Sequence, residues 1–245
     1  MTTPGSEPFQ RDVTLAKELV GKRFGSKQLA LIRPVLRAVN VRLYHSSMHY
    51  DDLNTVTVRH LDEPLISGVP PWQLMFTGEG ETGTNNLFFI ACEAHLFACI
   101  QALHAAADNL AHVLYYGLGW NLEGKPPKGK VSIKTIRGRL LQLGQSRHEL
   151  RPIYGPLDVL VNSHQFKLLE DAANHIKHHG GLHASVKWEP NPEKPYELVL
   201  SEFERDDIAQ PQTNAVSFAQ DAHLVMSKAV VHTGCALNAW LEGAT

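Results

Sequence analysis

The chain has 245 residues, of which 43% are hydrophobic and 20% charged, and its formal net charge at pH 7 is −2. A chain of this length can bury a substantial core, and its composition is typical of a globular protein. The nearly balanced charge excludes a strong overall attraction to nucleic acids or membranes, but it leaves a local basic face open.

The cysteines and the N-terminal residues indicate a cellular compartment. Cys92, Cys99 and Cys235 form no CxxC pair, so we expect reduced thiols, the first two of them buried in an apolar segment. The first residues lack the apolar stretch of a secretory signal. No run approaches the roughly 18 apolar residues of a membrane span. The sequence therefore predicts a cytoplasmic protein without membrane association.

The first third of the chain gives the weakest structural signals. Residues 1–27 begin with small and polar side chains, and we expect them to form a flexible segment before a single domain over 28–245. Apolar residues at steps of 3 or 4 predict a helix over 28–46. Several prolines and glycines predict a long loop over about 50–85. Within that loop, alternating apolar residues favour a short strand at 53–61.

The strongest element is the apolar segment from about residue 86 to 118. It is rich in alanine and leucine and contains no proline, so it predicts a long central helix that other helices cover. We predict four further elements: a short helix over 133–144, a helix over about 156–179, a β-hairpin over about 184–204 and a last helix over about 213–242. The fold class is therefore mainly α, a four- to five-helix bundle with an appended β-hairpin.

The predicted central helix carries a polar stripe among its apolar residues. At 100° per residue, Glu93, His104, Asp108 and His112 lie on one side, whereas His95 points elsewhere. Buried charges need partners, and three interpretations stay open. The groups can satisfy one another and nearby loops, they can bind zinc, iron or manganese together with histidines of another helix, or they can line a catalytic or ligand-binding groove.

A second polar cluster, NHIKHH, occupies residues 174–179 at the predicted end of a helix. Cations are favoured there by the helix dipole, which accounts for His175 and His179 without a further role. Asn174 and His178 lie one turn apart on another face. An amide and an imidazole in this arrangement can both address one phosphate or one attacking hydroxyl, with Lys177 beside them.

The segments ACEAHLFACIQALHAAADNLAHVLYYGLG and AANHIKHHGGL, about residues 86–182, resemble the HEPN-like helical bundles of prokaryotic conflict and defence systems. In that family a late helix often ends in Arg-Asn-x-x-x-His, and many members are metal-independent ribonucleases that dimerise. Asn174 and His178 match the Asn-x-x-x-His part, whereas Ala173 stands at the arginine position. The resemblance implies a homodimer, an RNA substrate, a cognate immunity or antitoxin protein, and no metal or other cofactor.

The resemblance also implies residue roles. His178 would be the general acid or base in RNA cleavage, Asn174 would orient the phosphate, and Lys177 would stabilise the developing charge. A set of outer partners would hold the His178 imidazole in its orientation. These are the residues of the polar stripe, Glu93, His104, Asp108 and His112. A cationic track for RNA would consist of Lys128, Lys130, Lys134, Arg137 and Arg139.

Two alternatives to the nuclease follow from the same residues. One is a catalytically inactive helical module for dimerisation or ligand binding. The other is a metal-binding bundle that uses the polar stripe, Glu93, His104, Asp108 and His112, as its ligands.

Overall fold

The structure is a computed structural model that describes residues 6–68, 84–123, 130–188, 196–205 and 207–243. The chain divides into two compact units. Unit 1 consists of residues 1–43, 104–167 and 224–245, and unit 2 of residues 44–103 and 168–223. Each division between the units falls inside a helix. No linker composition therefore marks a boundary in the sequence.

The described part of the chain is mainly helical, with seven helices of more than ten residues. These are α1 (Ser6–Phe24), α2 (Ser26–Thr57), α4 (Thr84–Gly117), α5 (Ile133–Leu143), α6 (Arg151–Asn162), α7 (His164–His178) and α8 (Ala215–Gly243). A π-helical turn at Val58–Asp62 leads into the short α3 (Glu63–Ile66). The expected four to five helices were too few.

Helix α1 lies where we expected a flexible segment over residues 1–27. Its residues Ala16, Leu19 and Val20 are buried, a spacing of three and four that forms one apolar stripe. The helix ends before Gly25, whose φ of 85° turns the chain into α2. The small, polar residues of the first twelve positions obscured this stripe in the sequence.

The single helix predicted over 156–179 is broken at Ser163 into α6 and α7, which adds another helix to the predicted number. Ser163 has extended backbone angles, and its hydroxyl donates to the Leu160 carbonyl at 2.7 Å. The same oxygen accepts a hydrogen bond from the Phe166 amide at 3.2 Å. Ser163 therefore ends α6 and caps the N-terminus of α7.

The loop expected over about 50–85 is partly helical. Helix α2 continues to Thr57, and the π-helical turn and α3 extend the helical conformation to Ile66. The strand expected at 53–61 is not present, since helical context overrides the strand preference of its β-branched residues. The remainder of that loop, residues 69–83, lies outside the described residues.

The predicted hairpin is confirmed, and it belongs to a larger β region. Strands β1 (Ala184–Trp188) and β2 (Tyr196–Leu200) pair antiparallel. A short β5 (Thr213–Asn214) pairs with the other edge of β2. A separate two-stranded sheet joins β3 (Phe203–Arg205) to β4 (Ile208–Gln210). All of these strands belong to unit 2.

The predicted central helix is confirmed as α4. Cys92 and Cys99 are fully buried, as expected, and so are Leu103 and Leu114 farther along the helix. Within the described residues, α4 is also the one helix long and apolar enough to cross a membrane, with a mean hydropathy of 1.5. One such helix is weak evidence for a span because the core helix of a soluble protein has the same properties.

Candidate functional site

The polar stripe on α4 is divided between the two units. Glu93, in unit 2, accepts a hydrogen bond from the Ala184 amide at 3.0 Å and lies 3.5 Å from His183 Nδ1. It therefore fixes the start of β1. In unit 1, the Asp108 carboxylate lies 3.7 Å from Lys130 Nζ.

The His112 ring stacks on Tyr116 at 6.1 Å between centroids, and His104 also has interactions of its own. Among the described residues, His104, Asp108 and His112 do not converge on a common point as metal ligands. The stripe thus consists of groups that are satisfied locally.

The polar end of α7 places the predicted catalytic residues at the surface of unit 2. His178 and Lys177 are exposed, and the His178 side chain has no partner in the described part of the chain. Asn174, one turn earlier, is half-buried, and its amide donates to the Glu170 carbonyl at 2.8 Å. Asn174 must break that bond before its amide can bind a phosphate.

Two neighbours of this motif have structural roles. The His175 Nδ1 atom lies 3.2 Å from the Glu204 carbonyl, and its ring stacks on His179 at 5.3 Å. Ala173 is fully buried, and its carbonyl accepts a hydrogen bond from Gln101. Position 173, where an arginine would complete an Arg-Asn-x-x-x-His pattern, therefore lies in the packed interior of unit 2.

The predicted cationic track in unit 1 is largely neutralised. Three of its members pair with carboxylates: Lys130 with Asp108, Arg137 with Asp158, and Arg139 with Glu123. Lys128 lies outside the described residues. Most of the positive charge that would attract an RNA backbone is thereby balanced within the protein.

A different cluster, formed by His49, Asp52 and His95, has the geometry of a metal site. It is the one group of three or more histidine, cysteine or acidic residues in the described part of the chain whose ligand atoms all lie within 4.8 Å of one another. The Nδ1 atoms of His49 and His95 are 3.4 Å apart. The Asp52 Oδ2 atom lies 3.7 Å from His95 Nδ1.

Helices α2 and α4 position these three side chains within unit 2. His49 and Asp52 are three residues apart on α2 and therefore share one face. Leu53, beside Asp52, and Leu96, beside His95, are fully buried. The apolar contacts thus orient both helices, and the three polar groups lie at the margin of the buried surface, where His49 and His95 are half-buried and Asp52 is exposed.

The electrostatic environment keeps His49 in the form that binds metals. Burial lowers the pKa of its imidazole, and the neighbouring His95 lowers it further, although Asp52 acts in the opposite direction. A metal ligand must be a neutral imidazole with a free lone pair. At neutral pH His49 is therefore unprotonated and available.

The distances in the cluster agree with tetrahedral coordination. Two ligands at the usual zinc–nitrogen distance of about 2.0–2.1 Å are separated by about 3.3–3.4 Å across a tetrahedral site. The observed distances of 3.4 and 3.7 Å are close to this value. Three protein ligands leave a fourth position for a water molecule, which is the arrangement of catalytic rather than structural zinc sites.

Sequence analysis missed this cluster for a physical reason. The i, i+3 pair of His49 and Asp52 is visible in the sequence, but two ligands on one helix do not make a site. The third ligand, His95, is 43 positions after Asp52, and only the packing of α4 beside α2 brings it there. The helical projection placed His95 away from the polar stripe, so its partners had to come from another helix.

Comparison with known proteins identifies no relative: no protein-family model, curated protein or solved structure matches the chain.

Proposed function

We propose that the protein binds a divalent transition metal ion, best fitted by zinc, through His49, Asp52 and His95. The observation that carries this proposal is the 3.4 Å separation of the His49 and His95 Nδ1 atoms, with the Asp52 carboxylate beside them. Imidazole ligands favour zinc, iron, nickel or copper over magnesium and calcium, which prefer oxygen. The near-tetrahedral spacing favours zinc among these ions.

The chemistry available to such a site is hydrolysis. A zinc ion with one open position lowers the pKa of its bound water to about 7, which supplies a hydroxide nucleophile at neutral pH. Asp52 lies partly in solvent, so a substrate can approach from that side. The proposed class is therefore a zinc-dependent hydrolase on a helical scaffold.

A hydrogen-bonded chain of the same three side chains is the competing explanation. His95 Nδ1 faces both the Asp52 carboxylate and His49 Nδ1. A ring nitrogen carries one proton, so it can donate that proton to only one of the two at a time. A metal ion satisfies all three ligand atoms together, which is why we prefer it.

Metal analysis tests the proposal directly. The purified protein is stripped with EDTA, titrated with Zn²⁺ by calorimetry, and then loaded with Co²⁺, whose visible absorption reports tetrahedral geometry. We expect one ion per chain in the wild type and none in His95→Ala. His164→Ala is the matched control because His164 is an exposed histidine outside the cluster. Equal zinc binding by the His95→Ala variant would exclude this site.

RNA cleavage at the end of α7 is the second candidate function. We propose it in the HEPN-like form, as a homodimer of the defence or toxin–antitoxin type with a cognate immunity protein. The observation that favours it is the exposed, unpartnered imidazole of His178 one turn from Asn174, with the exposed Lys177 beside it. The buried Ala173 at the arginine position favours the inactive dimerisation module instead.

Cleavage of a mixed RNA pool in EDTA separates these functions. Cleavage that persists in EDTA, is lost in His178→Ala and is retained in His179→Ala supports the metal-independent nuclease. Cleavage that EDTA abolishes and Zn²⁺ restores, and that His95→Ala removes, assigns the activity to the metal cluster. A folded wild type that cleaves under neither condition leaves zinc binding as the proposed function and supports the inactive module at α7.

A further inference from the structure

Two arginines of unit 1 line a pocket that contains more positive than negative charge. The pocket has a volume of about 490 Å³, and its walls include Arg23, Arg147, Glu149, Pro152 and Trp240. This volume falls within the range of about 300–1,000 Å³ typical of small-molecule sites.

Arg23 lies in the last turn of α1, and its guanidinium packs on two aromatic rings. Its guanidinium carbon is 4.2 Å from the centre of the Trp240 ring and 5.3 Å from that of Phe24. Its Nη1 atom is buried and has no hydrogen-bond acceptor within the described residues. A buried guanidinium N–H without an acceptor is costly, and native proteins rarely leave one.

Arg147 adds a second positive charge to the same pocket. Burial lowers the pKa of Arg23, and the charge of Arg147 lowers it further. Glu149, which accepts a hydrogen bond from Arg147 Nε at 2.9 Å, is the acid in the pocket wall. The pair is largely exposed, so solvent weakens it. Among the residues of the wall that the structure describes, one positive charge is therefore left without a counterion.

We propose that this pocket binds the phosphate group of a small molecule. A guanidinium fork donates two parallel hydrogen bonds to phosphate oxygens, and both Arg23 and Arg147 line this pocket. Stacking on Trp240 holds the Arg23 fork in place before the ligand arrives, so little side-chain entropy is lost on binding. The remaining volume accepts the organic part of a phosphate ester.

This inference is independent of the metal site, and the experiment is designed so that metal binding cannot affect its result. Binding of orthophosphate, pyrophosphate and adenosine monophosphate is measured by calorimetry at low ionic strength. EDTA is present throughout, so that phosphate cannot bind through a metal ion at His49, Asp52 and His95. Acetate at the same concentration is the comparison for a carboxylate.

We expect binding of at least one of the three phosphates and a loss of tenfold or more in affinity in Arg147→Gln. Arg147 is exposed enough that its replacement should leave the fold intact, which circular dichroism checks. Arg23→Gln should lose binding as well. Arg37→Gln is the control, because Arg37 is an exposed arginine of unit 1 outside the pocket. The proposal is overturned if no phosphate binds, if acetate binds as tightly, or if Arg147→Gln binds as the wild type does.

Discussion

The Nδ1 atoms of His49 and His95 face each other at 3.4 Å, although one residue belongs to α2 and the other to α4. Two imidazole nitrogens at this distance repel when both carry a proton and have no bond when neither does. One proton between them or one cation among them resolves the conflict. Asp52, 3.7 Å from His95, supplies the negative charge that favours the cation.

The contribution of Asp52 can be separated from a general effect of negative charge near α2. Asp52→Asn removes a carboxylate ligand, and we expect the affinity for Zn²⁺ to fall by at least about tenfold, since loss of even an outer partner costs about 10–100-fold. Asp51→Asn is the matched control because Asp51 is also exposed but lies outside the cluster. Calorimetric titration of both variants measures the difference in affinity for Zn²⁺. An equal loss of affinity in the two would show that Asp52 attracts the ion only at long range and is not a ligand.

Two glycine substitutions should change stability in opposite directions. Gly119 has a φ of 70°, and a Cβ atom there would lie 2.8 Å from the Phe24 ring. We expect Gly119→Ala to lower the free energy of unfolding by about 1–2 kcal/mol through backbone strain alone. The close contact between the added Cβ atom and the Phe24 ring should lower it further.

Gly138 is the matched site for this comparison. It lies inside α5 with no atom within 4 Å of an added Cβ. Gly138→Ala should therefore raise the free energy of unfolding by about 0.5–1 kcal/mol, because alanine loses less backbone entropy in a helix. Urea denaturation measures both values. A destabilised Gly138→Ala variant would contradict the open surroundings assigned to that residue.

The three thiols should differ sharply in reactivity. Cys92 and Cys99 are fully buried, and burial raises the pKa of each thiol to about 12. The thiolate is the reactive form, so both should resist modification in the native state. Cys235 is exposed. Ellman's reagent should modify one thiol per native chain and all three in denaturant, and Cys235→Ser should abolish the native reaction. Two fast native thiols would show that the burial of α4 is incomplete.

The sequence predicts elements whose signal lies within one segment. Alanine and leucine without a proline predict α4, and alternating apolar and polar residues over 184–204 predict the hairpin. The break at Ser163 was missed because the sequence does not show that this residue has extended backbone angles. Without the angles, a serine that caps a helix cannot be distinguished from any other polar residue.

The candidate metal site could not be predicted in the same way. Glu93 and His104 share a helix face in projection, yet Glu93 bonds to the start of β1. His49 and His95 share no local pattern and meet through packing. Long-range contacts of this kind decide which polar residues cooperate, and helical periodicity alone contains no information about them.

A half-buried histidine in unit 2, His223, should make the protein sensitive to acid. Burial lowers the pKa of His223 from its usual value of 6.5, with a smaller opposing effect from Asp51. Its Nδ1 atom lies 2.8 Å from the Oγ atom of the fully buried Ser46. Protonation of His223 in the folded state would place a charge in this partly apolar surrounding.

The sign of the pH effect follows from the direction of the shift. Above the unfolded pKa of about 6.5 both states hold His223 neutral, so stability does not depend on it. As the pH falls below that value, the unfolded chain takes up a proton more readily than the folded one, and stability decreases with a slope of up to about 1.4 kcal/mol per pH unit. The loss continues until the pH reaches the lowered pKa of the folded state.

The variant His223→Gln tests this dependence, because glutamine keeps a hydrogen-bonding group near Ser46 and cannot be charged. Urea denaturation between pH 7.5 and pH 5 in EDTA should show a shallower loss of stability for the variant than for the wild type. Some acid dependence should persist, since burial also lowers the pKa of His49. His164→Gln, at an exposed histidine, should follow the wild-type curve. If the His223→Gln and wild-type curves are parallel over this range, His223 takes up its proton equally in the folded and unfolded states, and the lowered pKa assigned to it is wrong.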